Sequence, residues 1–292
     1  MRVLVVSDIH ANLTAFDAGS GKPVWSLDIV KEFEGKYPRF GFTESVLIDG
    51  DKLICSPGGS KGYMVALDKK TGKVIWANTD IGEIAGFSSA ILAEDQGIRQ
   101  IINLTTESII GVHADSGKLL WKYPFTNKRK NNIPTPIYHQ GHVFASTGYG
   151  TGSVMLKVAV AGETVGATQA WFSEVPDNIH GGVILLDGHL YGSGHEKKGW
   201  TCLDFASGKT LYRDTSVEMG SITYADGMLY CLGERGTMAL VKCNPSAYEV
   251  VSRFNIPESE IEDLYWSHPV VCGGRLYVRH GDNLYAYDVR GK

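Results

Sequence analysis

Short apolar runs alternating with polar residues, cut by Gly-bearing turns, recur along this chain. The clearest unit is Leu67-Asp68-Lys69-Lys70-Thr71-Gly72-Lys73-Val74-Ile75-Trp76. The same spacing from polar anchor to aromatic separates Asp17 from Trp25, His113 from Trp121, and Asp204 from Tyr212, where Tyr takes the Trp slot. Each copy reads as a strand, a tight turn and a second strand. The Asp carboxylate caps turn N–H groups, Gly takes the positive-φ position, and the second strand ends in a large aromatic. Weaker copies lie at Lys242-Cys243-Asn244 and Tyr287-Asp288, and one near Trp171 keeps the aromatic without the Asp.

A second unit precedes each hairpin: Ser45-Val46-Leu47-Ile48-Asp49-Gly50, Val183-Ile184-Leu185-Leu186-Asp187-Gly188, Ile222-Thr223-Tyr224-Ala225-Asp226-Gly227 and Pro269-Val270-Val271-Cys272-Gly273-Gly274, each followed by another short strand. Four short strands per repeat of about 40 to 50 residues predict an all-β propeller of four-stranded antiparallel blades. No stretch carries a long 3.6-residue apolar period, so helix is expected to be scarce. Seven repeats are visible, at about 2–30, 43–80, 86–125, 133–174, 181–216, 220–256 and 267–292, within a single domain spanning 1–292. The first is expected to lack its innermost strand and the last its outermost. The chain therefore reads as most of an eight-bladed ring without its N-terminal segment, and its unpaired edges predict self-association.

The Asp-x-x-Ser/Thr-Gly-x-x-x-Trp hairpins resemble the tryptophan-docking motif of PQQ-like repeat β-propellers, a superfamily that holds quinoprotein alcohol dehydrogenases and the propeller lipoprotein of the outer-membrane assembly machinery. The resemblance covers nearly the whole chain and is specific for fold. It implies structural docking between blades for Asp17, Trp25, Asp68, Trp76, Trp121, Asp204 and Tyr212. For the dehydrogenases it implies pyrroloquinoline quinone (PQQ) on a Trp floor, beneath a disulfide of adjacent cysteines and beside Ca²⁺. No adjacent Cys pair exists here, and no family catalytic residue carries over position by position.

Composition narrows the field further. A net charge of −4 supplies no basic field for nucleic acid, and Lys128, Arg129 and Lys130 read as a solvated loop. No apolar run approaches membrane-spanning length and no signal peptide is legible. Taken literally the chain is cytoplasmic if Met1 is the start, whereas the family resemblance implies export to the periplasm. Five cysteines without CxxC spacing read as small buried apolar residues.

Two groups of residues are candidates for chemistry. Aligning the inner strands places Glu44, Ser88, Thr135, Gly182, Ser221 and His268 at equivalent positions at one mouth of the channel, with His180 and Trp266 two residues before Gly182 and His268. Glu44, Ser88, Thr135, Asn178, His180, Ser221, Trp266 and His268 are the ligand-binding candidates, against the alternative that they bond blade to blade. Near the start, Val5-Val6-Ser7-Asp8-Ile9-His10-Ala11-Asn12-Leu13 resembles the opening of metallophosphoesterases, which makes Asp8 and His10 weak metal candidates. The remaining ligand segments of that family are missing, and an ordinary blade hairpin fits the same residues. The expected function is a non-catalytic binding or scaffolding propeller with a protein or polymer partner at one face. The alternative is a PQQ- and Ca²⁺-dependent alcohol dehydrogenase.

Overall fold

The computed structural model describes residues 3–162, 164–257 and 263–291. Its strands pair antiparallel with their sequence neighbours in seven successive sheets, five of four strands and two, the first and last, of three. The sheets span Val3–Ser7 to Pro23–Asp28, Leu47–Asp49 to Val74–Asn78, Ile91–Asp95 to Leu119–Pro124, Ile137–His139 to Thr164–Ser173, Val183–Leu186 to Thr210–Asp214, Gly220–Ala225 to Val250–Asn255, and Val270–Cys272 to Asn283–Asp288. Among the described residues the helix is a single short piece, Ile29–Phe33, capped by the Asp28 carboxylate on Lys31 N. The expected blade pattern and scarcity of helix are therefore met.

By its contacts the chain divides into two compact units, 1–145 with 155–170, and 146–154 with 171–292. In the first, apolar side chains interleave between blades 1 and 2 (Leu13, Phe33, Leu53, Val65) and between blades 2 and 3 (Ile54, Met64, Trp76, Ile101, Ile110). In the second they do so between blades 5 and 6 (Trp200, Cys202, Ile222, Cys231) and between blades 6 and 7 (Leu232, Met238, Leu276, Val278). The core lies between facing sheets because each strand of a blade's middle is buried on both sides. All five cysteines are free. Cys55, Cys202 and Cys231 are core residues, and burial pushes the thiols of Cys202 and Cys231 up to about 11 and about 12.

The repeated hairpin has a shared construction. A register shift interrupts the strand pairing at Ala15/Phe16, Ala66/Leu67, Gly111/Val112 and Cys202/Leu203, just before each anchor. The Asp68 carboxylate then accepts from Thr71 N and Thr71 Oγ1, both at 2.8 Å, while Gly72 N donates to Asp68 O with Gly72 at φ 73°. Asp17 and Asp204 hold Ser20 and Ser207 in the same way. His113 substitutes with its imidazole, whose Nδ1 accepts from Asp115 N at 3.2 Å.

Three indoles bridge from one blade to the next hairpin. Trp25 Nε1 donates to Lys69 O at 3.2 Å, Trp76 Nε1 to Ala114 O at 3.2 Å, and Trp171 Nε1 to Phe205 O at 3.0 Å. Each acceptor is the residue directly after the anchor. Each ring also lies on that turn's glycine: a Cβ on Gly72, Gly117 or Gly208 would stand 2.5–3.0 Å from the indole. Trp121 departs from the expected inter-blade dock. Its Nε1 donates to Gln100 Oε1 at 2.7 Å within its own sheet. Two local differences accompany this: Trp25 and Trp76 face Ala15 and Ala66, whereas Trp121 faces Gly111, whose missing Cβ leaves room for the indole on its own strand, and the next hairpin, before Trp171, lacks the Asp anchor. Tyr212 packs into the blade 5–6 cluster, its ring 6.2 Å from that of Tyr248.

Trp76→Ala should destabilise the chain by about 3–5 kcal/mol in urea unfolding, the usual cost of deleting a large buried aromatic. Trp76→Phe, which keeps most of the packing and loses the bond to Ala114 O, should cost visibly less.

Candidate binding face

The inner strands begin at Leu47, Ile91, Ile137, Val183, Gly220 and Val270. Most candidates therefore sit in the segments entering those strands. In the first unit, Glu44 is buried and accepts from Ser56 N at 2.7 Å and Ser56 Oγ at 3.0 Å, with Asn103 Nδ2 donating to the same Ser56 hydroxyl. Burial pushes the Glu44 carboxyl up to about 7 against those two bonds. Ser88 is buried and donates to Pro134 O at 3.0 Å, while Thr135 is exposed. Ser88 thus ties one blade entry to the next.

In the second unit the candidates converge more closely. His180 lies against Trp266, ring centroids 4.8 Å apart, and both of its ring nitrogens are buried without a hydrogen-bond partner. Burial, with His268 and His195 nearby, lowers its pKa to about 4, so the ring is neutral at ordinary pH. His268 Nε2 bonds His180 O at 3.0 Å, and the glycine at 182 leaves room for the His268 ring. Ser221 Oγ reaches Trp266 O at 3.5 Å. Asn178 is buried, accepting from Gly182 N and donating to Ser193 O. Trp266 itself is 54% exposed and lines a cavity of about 390 Å³ with Leu264, Ser267 and Arg279. The geometry here is an aromatic platform over a neutral imidazole, suited to stacking and apolar contact.

Sequence reasoning missed a set of acidic side chains that position these entry segments. Glu83 accepts from Glu107 N at 2.8 Å and from the Thr105 and Ser108 hydroxyls, and pairs with Lys122 at 2.8 Å. Burial acts to raise its pKa, and the bonds from Lys122, Ser108 and Thr105 outweigh it, holding the carboxyl below its ordinary value. Asp177 accepts from four backbone amides, those of Gly150, His195, Glu196 and Lys197. Glu218 accepts from Arg235 N and Thr237 N. Each carboxylate comes from the connection before a blade and closes the turn between that blade's middle strands. The signal available was an acid in each connection, in two of the three one of a pair, 17 to 25 residues before the turn groups it binds, a spacing too loose to recognise without the fold.

Asp8 has a local role: its carboxylate accepts from His10 N and Asn12 N, both at 2.9 Å, and from Asn12 Nδ2 at 3.0 Å, closing the first hairpin turn. These bonds, that from the Asn12 side chain foremost, lower its pKa. Among the described residues no group of three or more His, Cys, Asp or Glu side chains is arranged to hold a metal ion, and no helix is long and apolar enough to cross a membrane. The residues present do not fit PQQ with calcium either. Both Glu44 oxygens face Ser56, the Asn178 amide is buried against Gly182 and Ser193, and Cys55, Cys202, Cys231, Cys243 and Cys272 include no adjacent pair.

Because the folded-state pKa of Glu44 lies above its ordinary 4.5, its contribution to stability is fully present below pH 4.5 and is lost as pH rises to about 7. Glu44→Gln should therefore gain stability relative to wild type between pH 5 and 8, by on the order of 2–3 kcal/mol, read from paired urea titrations. A constant difference across that range would contradict the buried-carboxyl account.

Residues 1–214 match the family described as "Outer membrane protein assembly factor BamB". Curated relatives include the outer membrane protein assembly factor BamB of Shewanella oneidensis, 26% identical over 160 residues, which cover 53% of this chain and 39% of that protein. An uncharacterized protein of Rickettsia prowazekii is 22% identical over 204 residues, 52% of this chain and 49% of that one. The chain thus spans half or less of the curated relatives it matches. Among solved structures, BamB from Moraxella catarrhalis superposes with TM-score 0.67 at 16% identity, over 97% of this chain and 80% of that one. The quinohemoprotein alcohol dehydrogenase ADHIIG from Pseudomonas putida does so with TM-score 0.63 at 12% identity, over 98% and 63%. At these identities the structural likeness fixes the fold, a β-propeller of the PQQ-like kind. With about three-quarters of its length matched by one family, the chain belongs to the PQQ-like propeller family described as the outer membrane protein assembly factor BamB.

Proposed function

We propose that this chain acts by binding, as a non-catalytic propeller that holds a protein partner during the assembly of outer membrane proteins, in the periplasm. The observation that carries this reading is the family match over residues 1–214, in a family described by that assembly role. The second unit supports it with a surface suited to a partner: Trp266 and Leu264 exposed beside the cavity, with Trp266 backed by His180. Exposed aromatic residues on a rigid backing are the usual anchors of protein interfaces. Ser221, Asn178 and His268 then serve to hold the platform, and Glu44 and Ser88 to hold the blade entries.

Removing the gene from its host should lower the amount of folded outer membrane barrel protein several-fold, as read by heat-modifiable mobility on gels. Wild type should restore it, and the double variant Trp266→Ser, Leu264→Ser should restore it poorly while folding normally. Unchanged assembly without the gene would sink the proposal. So would saturable binding of PQQ with Ca²⁺ and dye-linked alcohol oxidation, both lost in Glu44→Ala and His268→Ala.

A further inference from the structure

The hairpin that opens blade 4 carries two imidazoles directly opposite one another. Its strands pair in the register Ile137↔Phe144, Tyr138↔Val143 and His139↔His142, closed by Gln140 at φ 47° and Gly141 at φ 74°. Both turn residues in the left-handed region make a tight two-residue turn, which fixes that register. Directly opposed residues of an antiparallel pair project from the same face with Cβ atoms about 4.5–5.5 Å apart. Two imidazoles rooted at that separation can reach one ion at the usual metal–nitrogen distance of about 2.0–2.1 Å.

The hairpin is also prepared for such a role. His142 Nδ1 lies 2.9 Å from Gln140 O, an atom that only accepts, so Nδ1 carries the proton and Nε2 carries the lone pair. A ring N–H fixed on a backbone carbonyl is the arrangement that orients metal-ligating histidines elsewhere. The turn is held in place by Gly141 N donating to the Tyr138 hydroxyl at 3.2 Å and by Val158 N donating to Gly141 O at 2.8 Å. The Asp95 carboxylate reaches the same turn, with Oδ2 3.4 Å from the site of a Cβ on Gly141. His139 is exposed and His142 half-buried, so an ion can approach from solvent.

We propose that the His139-Gln140-Gly141-His142 hairpin is a bidentate site for a divalent first-row transition metal ion, with water completing the coordination. Borderline imidazole ligands and the general affinity order favour copper(II) over nickel(II) and zinc(II).

The test is equilibrium dialysis of the untagged full chain against copper(II) alone, with electron paramagnetic resonance to count nitrogen ligands. One ion should bind per chain with a two-nitrogen signature. His139→Asn and His142→Asn should each weaken binding at least about tenfold, with circular dichroism unchanged, while His189→Asn should bind like wild type. No saturable binding at micromolar copper, or binding equal to wild type in both His139→Asn and His142→Asn, would overturn the proposal.

Discussion

The contact on which the blade packing depends is an indole laid over the next blade's turn glycine, with its N–H on the carbonyl just beyond the turn anchor. Trp25, Trp76 and Trp171 all make it. It demands three things at once: a glycine on the receiving turn, a capped anchor that exposes the carbonyl, and a side chain opposite the Trp that prevents the ring from folding back. Trp121 meets Gly111 instead and turns inward onto Gln100, and the hairpin that would receive it, the one before Trp171, also lacks the Asp anchor, so two of the three conditions fail there together. Indole burial of roughly 150–250 Å² at about 25 cal/mol per Å² gives on the order of 4–6 kcal/mol as an upper bound, far above the roughly 1 kcal/mol of its hydrogen bond. Packing therefore sets the strength of the dock, and the hydrogen bond sets its geometry.

A second layer of order comes from buried carboxylates, and their environments separate them. Glu83 gathers a lysine, three hydroxyls and a backbone amide, enough to keep it charged although it is largely buried. Glu44 has the amide and hydroxyl of Ser56 alone, and burial wins. A carboxylate without a cation in a low-dielectric site keeps its proton near neutrality. The same comparison explains why Glu44, which stands at a channel-mouth position by alignment, behaves as a structural strut with a titratable proton.

Membership of the family places the chain on a scaffold that hosts both assembly factors and dehydrogenases, so the fold does not choose between them. The side chains incline toward binding. The amide and carboxylate that a calcium-bound quinone would require are turned into the protein, while Trp266 is turned out of it.

The repeat itself determined the architecture. Alternation with period two, anchors eight residues before an aromatic, and glycine at the one turn position with positive φ all act over a few residues, and such local constraints are legible in a linear string. The seven sheets accordingly fall within a few residues of the expected blades. The site was legible only in part. Alignment found Glu44, His180, Ser221, Trp266 and His268, and could not say that the His180 and Trp266 rings lie against one another, that Thr135 is exposed, or that Ser88 spans to Pro134. Nor could it find Glu83, Asp177 and Glu218, whose partners in the turns lie 17 to 25 residues downstream at no fixed offset, with Lys122 and Gly150 farther off in sequence. Those pairings depend on how one blade's connection lies over the next blade's turn, a matter of three-dimensional packing that sequence spacing does not encode.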